Sequence, residues 1–255
     1  SSVEIDYLKS NTRNDNSLLS MALLLKTFQW LGYFPELETV SENIVEHIRF
    51  TLKLDTSIKP VITNTTLYIF HQKVRSYLKI NPYNRSILNE ISEILFEVAH
   101  YRDNPVDIIN IAISEITNRK YELPAYRTIN EFVLTIRKKV NEKLCKELIS
   151  KLSEDMINNL EALLELDTMY NRTLYNDLKQ FPKSPTLNHI KEWLDHLEWL
   201  ESLGNTESYL NHIPYQKLIN FAEEAKVLDA SEMKDINKPK RYTLILSLIY
   251  QAQIK

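Results

Sequence analysis

The sequence predicts an all-α fold, and three observations carry the prediction. Glycine occurs twice in 255 residues, where average usage would give about 18. Apolar residues recur at 3-4 spacing through segment after segment. No stretch shows the apolar-polar alternation of a half-buried strand. The expected architecture is a multi-helix array of two packed helical bundles, the first laid out like a helix-turn-helix domain. The boundary is expected at Asn81-Pro82, where a helix must stop. That places an N-terminal bundle over 1–82 and a second helical domain over 83–255.

The first helix is expected over Ser17 to Tyr33. Leu18, Leu19, Met21, Leu23, Leu24, Leu25, Phe28, Trp30 and Leu31 lie on nearly all its sides, the pattern of a helix buried among others. Gly32 stands where a left-handed residue ends a helix, and Pro35 follows. A second helix spans about Ser41 to Leu54, with Ile44, Ile48 and Leu52 on one stripe. A third spans Thr65 to Ile80, apolar through Leu67, Phe70, Val74 and Leu78, and basic through His71, Lys73, Arg75 and Lys79. Further helices follow over Ile87 to His100 and, behind the Asn104-Pro105 start, to Asn118.

Thr128 and Glu131 have capping-box spacing and open a long helix to about Leu152. Ser153 caps the next. Asp167 to Arg172 reads as a loop, and Leu174 to Lys179 as a short helical turn. Pro182 to Pro185 is rigid punctuation. Ile190, Trp193, Leu194, Leu197 and Leu200 then follow 3-4 spacing up to Gly204, with Trp193 facing the core and Trp199 turned the other way. Tyr215 to Asp229 and Tyr242 to Gln253 complete the set.

Charge excludes a globally basic nucleic-acid binder: 31 Lys+Arg stand against 34 Asp+Glu. Along the chain, however, charge is segregated. Arg119 to Lys151 carries nine basic against four acidic residues, Leu152 to Met233 six against fifteen, and Lys234 to Arg241 four against one. A polyanion would dock on the first and last of these segments and be repelled by the middle one. Lys139, Lys143 and Lys146 share one helical stripe and suit successive phosphates. Arg137 and Lys138 adjoin them. His71, Arg75 and Lys79 form a second stripe at i, i+4 and i+8.

Catalytic patterns are lacking. Two isolated glycines cannot build a dinucleotide, Walker or kinase phosphate loop. Six histidines show no HExxH spacing, and the single cysteine, Cys145, builds neither a disulfide nor a thiolate zinc site. It reads as a packed, inert thiol in a reducing compartment. Adjacent acids such as Glu223-Glu224 point to different sides of a helix and make no acid/base pair. No catalytic residue, metal ligand or cofactor is expected in this chain, and no membrane partner, since no run of about 18 apolar residues occurs. The absence of an initiator Met reads as an excised piece or a processed start.

Particular words of the sequence resemble one family. Tyr121-Glu122-Leu123-Pro124-Ala125-Tyr126-Arg127-Thr128-Ile129 is similar to the "FELPAFSTL" block of the Tn-three family (class II, replicative) transposases. Ala22 to Gln29 with Leu31-Gly32-Tyr33-Phe34-Pro35 resembles the block "LALLLKFFQ…GRFP". His71 and Arg75 fit its His…IR pattern, Phe221 to Ala230 its "FAxEARALDA" block, and Arg241 to Leu246 its "RYTLLL" block. The blocks stand in family order from Met21 to Leu246. Asn64-Thr65-Thr66 departs from the family's Gly-Arg-Thr, so the arginine there is missing. The resemblance implies recognition of terminal inverted repeats on double-stranded DNA in a bacterial cytoplasm. It implies a catalytic core, dependent on a divalent metal such as Mg, that lies further along the parent protein. It implies as partners the rest of the transposase and, in the full protein, a second copy. The alternative is a helical scaffold that docks on, or dimerises, the rest of the transposase.

Overall fold

The computed structural model describes residues 1–60, 63–167, 171–180 and 184–254. Among the described residues the chain is all-α, with fourteen α-helices and one minimal two-stranded ladder. It divides into two compact units, Ser1–Ser92 with Ile109–Asn130, and Glu93–Ile108 with Glu131–Lys255. The helix before Asn81-Pro82 already ends at Leu78, and Asn81-Pro82 lies inside the first unit. Backbone pairing holds the chain there: Asn81 N–H donates to the Lys120 carbonyl at 2.8 Å and Glu122 N–H to the Asn81 carbonyl at 2.9 Å.

The first unit is built around α2 (Asp15–Leu31), preceded by α1 (Ser2–Asn11) and followed by α3 (Glu42–Thr51) and α4 (Asn64–Leu78). Asn14 caps α2, accepting from Ser17 N–H, and Gly32 closes it at φ +75°. Leu18 to Leu25 and Phe28 are buried, as an all-round apolar helix requires. The last turn departs from that expectation, because Trp30 is 91% exposed and Leu31 39%. Helix α1 lacks a clear stripe in the sequence. It is held by Leu8 in the core, by Tyr7 stacked on Tyr77 and by the Tyr7 hydroxyl donating to the Lys73 carbonyl.

Helices α5 (Ser86–Tyr101), α6 (Pro105–Asn118) and α7 (Tyr126–Ile149) follow. Each buries a 3-4 stripe, such as Ile129, Val133, Ile136, Val140, Leu144 and Leu148 on α7. Ser153 caps α8 (Glu154–Ala162), accepting from Met156 N–H. Where no strand was expected, β1 (Leu166–Asp167) pairs antiparallel with β2 (Arg172–Thr173). The rest of the loop expected there, residues 168–170, lies outside the described residues, as do 182–183 of the proline punctuation.

The remaining second-unit helices are α9 (Leu174–Asp177), α10 (Leu187–Ser202), α11 (Glu207–Leu210), α12 (Tyr215–Val227), α13 (Ala230–Asp235) and α14 (Lys238–Gln253). Helix α14 is its core, buried from Tyr242 through Ile249. It begins four residues earlier than Tyr242 because Asn237 caps it and Pro239 is accommodated in its first turn. Helix α13 has a capping box, Asp229 with Glu232, that stabilises six residues too few to show periodicity. Helix α10 reverses part of its expected orientation. Ile190 is 50% exposed, Leu194 54% and Leu197 37%, while Leu200 is buried and Trp193 half-buried.

Candidate nucleic-acid interface

The expected basic residues divide into two groups, those facing solvent and those held by the fold. Lys139, Lys143 and Lys146 are exposed on one stripe of α7. Seven residues at 1.5 Å each carry that stripe over about 10 Å. Four successive phosphates along one strand, stepping about 3.4 Å along the axis, span a similar length. Lys138 is also exposed, one face away, with Glu142 Oε1 at 3.9 Å. Lys146 and Lys138 border a cleft of about 590 Å³ whose wall also carries Arg137, Asn141, Asn220 and Lys240. Lys79 is exposed just past the end of α4, in the left-handed conformation at φ 55°.

The other expected contacts are engaged inside the first unit. The His71 ring stacks on Phe34 with centroids 3.9 Å apart. Burial, helped by the Arg75 charge, pulls its pKa down to about 4. His71 is therefore neutral near pH 7 and brings no charge to a phosphate. Arg75 lies over the other ring neighbour of the stack, 5.1 Å from the Phe34 centroid. Its Nε and Nη2 reach Glu122 Oε2 at 2.9 and 2.8 Å. Lys73 Nζ donates to the Asn11 carbonyl at 3.1 Å. Leu123 N–H donates to the Gly32 carbonyl at 2.8 Å. Three separated stretches, 31–35, 71–75 and 121–124, thus meet at one junction. The face that α4 leaves to solvent instead presents Thr65, Tyr68, Gln72, Ser76 and Lys79. The Gln72 amide donates to the Tyr68 hydroxyl at 2.8 Å, which orients it.

Arg137 points away from the lysine stripe and into a buried polar cluster that the sequence reading missed. Asp103 is 4% exposed and Lys217 is fully buried. Arg137 reaches Asp103 Oδ2 and Oδ1 at 2.6 and 3.1 Å, and Lys217 Nζ reaches Oδ1 at 2.8 Å. Asn220 donates to Oδ2 at 2.9 Å, and Asn141 accepts from Lys217 at 2.6 Å. Burial alone would raise the Asp103 pKa. The hydrogen bonds from Arg137, Lys217 and Asn220 outweigh it and hold the carboxyl well below its usual range. Burial pulls the Lys217 ammonium down, against the opposing effect of Asp103. The signal was present: Lys217 shares an i, i+4, i+8 stripe with Phe221 and Ala225, and a charge on an apolar stripe needs a buried partner.

The basic segment 234–241 is largely neutralised by the acidic one before it. Arg241 pairs with Glu161 at 2.7 Å, Lys240 with Glu224 at 2.6 Å and Lys234 with Glu165 at 2.9 Å. Charges segregated along the chain are thereby paired in space, which removes the last segment as a ready docking place for a polyanion. Cys145 is buried, and burial pushes its thiol pKa up. Among the described residues no three His, Cys, Asp or Glu side chains are grouped to hold a metal ion. No helix among them is long and apolar enough to cross a membrane. The candidate interface is an electrostatic surface centred on α7.

Residues 1–136 match the family described as "Domain of unknown function (DUF4158)". The transposase for transposon Tn501 from Pseudomonas aeruginosa is 21% identical over 181 residues, 71% of this chain and 18% of that protein. The transposase for transposon Tn21 from Escherichia coli is 18% identical over 176 residues, 69% of this chain and again 18% of that protein. This chain thus spans under a fifth of the curated relatives it matches. It belongs to the DUF4158 family and is related to the Tn-three family transposases of bacterial mobile elements.

Proposed function

We propose that this chain is a DNA-end-binding module of a transposase, recognising terminal inverted repeats while another part of the parent protein cuts and joins strands. The observation that carries the reading is the exposed lysine stripe of α7, Lys139, Lys143 and Lys146, in a chain whose relatives are transposases. These lysines, with Lys138 and Lys79, anchor phosphates and set register. Base reading falls to the solvent face of α4. There the oriented Gln72 amide has the donor-acceptor pair that matches adenine in a major groove. His71, Arg75 and Arg137 support this indirectly, by fixing α4 and α7 in their units.

Neither phosphate anchoring nor base reading needs a bound metal, so binding proceeds in the presence of a chelator. The test is the salt dependence of affinity for an inverted-repeat duplex, read by fluorescence anisotropy. Each lysine that touches a phosphate contributes about 0.9 to the slope of log K against log salt. The triple variant Lys139→Ala, Lys143→Ala, Lys146→Ala is expected to flatten that slope by nearly three such increments, with the fold intact by circular dichroism. A slope equal to that of the unaltered chain removes α7 from the interface.

A further inference from the structure

Resting on the reading of α7 as a phosphate surface, we propose that the cleft between α7, α12 and α14 receives one unpaired nucleotide of a bound DNA strand. The phosphate of that nucleotide stays at the rim and its base enters. The cleft lies wholly in the second unit and holds about 590 Å³, within the range of small-ligand sites. Its lining is of two kinds. Leu134, Cys145 and Phe221 supply an apolar part, and Arg137, Asn141 and Asn220 a polar one. An unpaired base needs both, apolar contact for its ring faces and hydrogen-bonding groups for its edge.

Two of the polar groups are held ready. Arg137 gives Nε and Nη2 to the buried Asp103, which fixes the plane of the guanidinium and leaves Nη1 without a partner among the described residues. Asn220 gives its amide nitrogen to the same carboxylate at 2.9 Å, which leaves its carbonyl oxygen as an acceptor. A donor and an acceptor on one wall suit the acceptor and donor of a base edge. On the rim, Glu224 holds Lys240 at 2.6 Å, and Glu142 approaches Lys138 at 3.9 Å. Lys146 is exposed and has no partner among the described residues. It is also the last lysine of the α7 stripe, so a strand anchored on Lys139 and Lys143 passes the cleft at Lys146. With the acidic pairs formed, the rim suits the single charge of one phosphodiester and not the crowded phosphates of a duplex edge.

The test uses the purified chain and three forms of the inverted-repeat duplex, with affinity read by fluorescence anisotropy. One is fully paired, one carries a single extra unpaired adenosine, and one has an abasic residue in that place. The extra position is moved through the repeat one step at a time. At one position the adenosine bulge is expected to bind about tenfold tighter than the abasic bulge, the size of effect that stacking one base gives. Both bulges interrupt the duplex alike, so the difference reports the base. Leu134→Trp fills the cleft from an exposed position and is expected to abolish the preference, while affinity for the paired duplex and its salt slope stay unchanged. Leu134→Ala is expected to keep the preference. Free deoxyadenosine monophosphate is expected to bind far more weakly than the bulged duplex, because it lacks the neighbouring phosphates that α7 holds. The proposal is overturned if the two bulges bind equally at every position, if the preference survives Leu134→Trp, or if the free nucleotide binds more tightly than the bulged duplex. Salt-dependent binding of the paired duplex with no preference between bulges removes the cleft alone; no binding of any duplex removes the reading of α7 as well.

Discussion

At the scale of single residues, the decisive property of the charged side chains is whether the fold has already engaged them. Asp103 shows this most sharply. Its carboxylate neutralises Arg137 and the fully buried Lys217 together, so removing it strands the Lys217 ammonium in a low-dielectric interior and leaves the partly exposed Arg137 without its partner. Asp103→Asn is expected to destabilise the second unit by about 3–5 kcal/mol in urea unfolding, the usual cost of breaking a buried pair. His71 gives a prediction with a definite sign. Its pKa is about 4 in the fold against about 6.5 in the unfolded chain. Between those values the unfolded chain binds the extra proton, so stability falls as pH drops through 6.5 toward 4. Going from pH 7 to pH 5, this one group is expected to cost about 2 kcal/mol. His71→Gln should lack that component, which equilibrium unfolding at the two pH values measures directly. Neither behaviour follows from the amphipathic pattern of α4 or α7, in which a basic residue looks the same whether it meets water or a buried carboxylate.

At the scale of elements, much was legible because apolar spacing and capping are local. The long α2, α7 and α12 follow from their stripes, and Asn104, Ser153, Gly32 and Gly204 mark ends that the backbone confirms. The short α11 and α13, the β1–β2 ladder and the outward face of α10 did not show. Six residues or fewer give no period, and a stripe reveals that a helix has an apolar face without saying whether this chain covers it. The functional blocks were legible as words but not as geometry. Phe34, His71, Arg75 and Glu122 lie far apart in sequence, and their role as one junction appears only when the chain is folded. Gly32 belongs to that junction. Its φ of +75° is costly for any other residue, and an added Cβ would stand 2.8 Å from Leu123 Cδ1. Gly32→Ala is expected to lower the stability of the first unit by about 1–2 kcal/mol, read from its thermal unfolding, with α2 still helical.

At the scale of the whole molecule, the near-neutral net charge conceals an uneven surface. The acidic stretch after Leu152 is partly neutralised by Lys234, Lys240 and Arg241. The α7 stripe keeps its lysines toward solvent. A chain so arranged is expected to bind DNA locally, with moderate affinity and a modest salt slope, unlike a uniformly basic protein. Phosphate contacts alone would hold any duplex equally, so the central claim stands on discrimination between sequences. The measurement that tests it most directly is a competition titration. The chain is bound to a labelled terminal inverted repeat of its own mobile element at near-physiological salt, then challenged with unlabelled repeat or with a scrambled duplex of the same composition. The account predicts that the true repeat displaces the label at a concentration at least about a thousandfold below the scrambled one, the lower end of specific recognition. Displacement by both duplexes at the same concentration would contradict it.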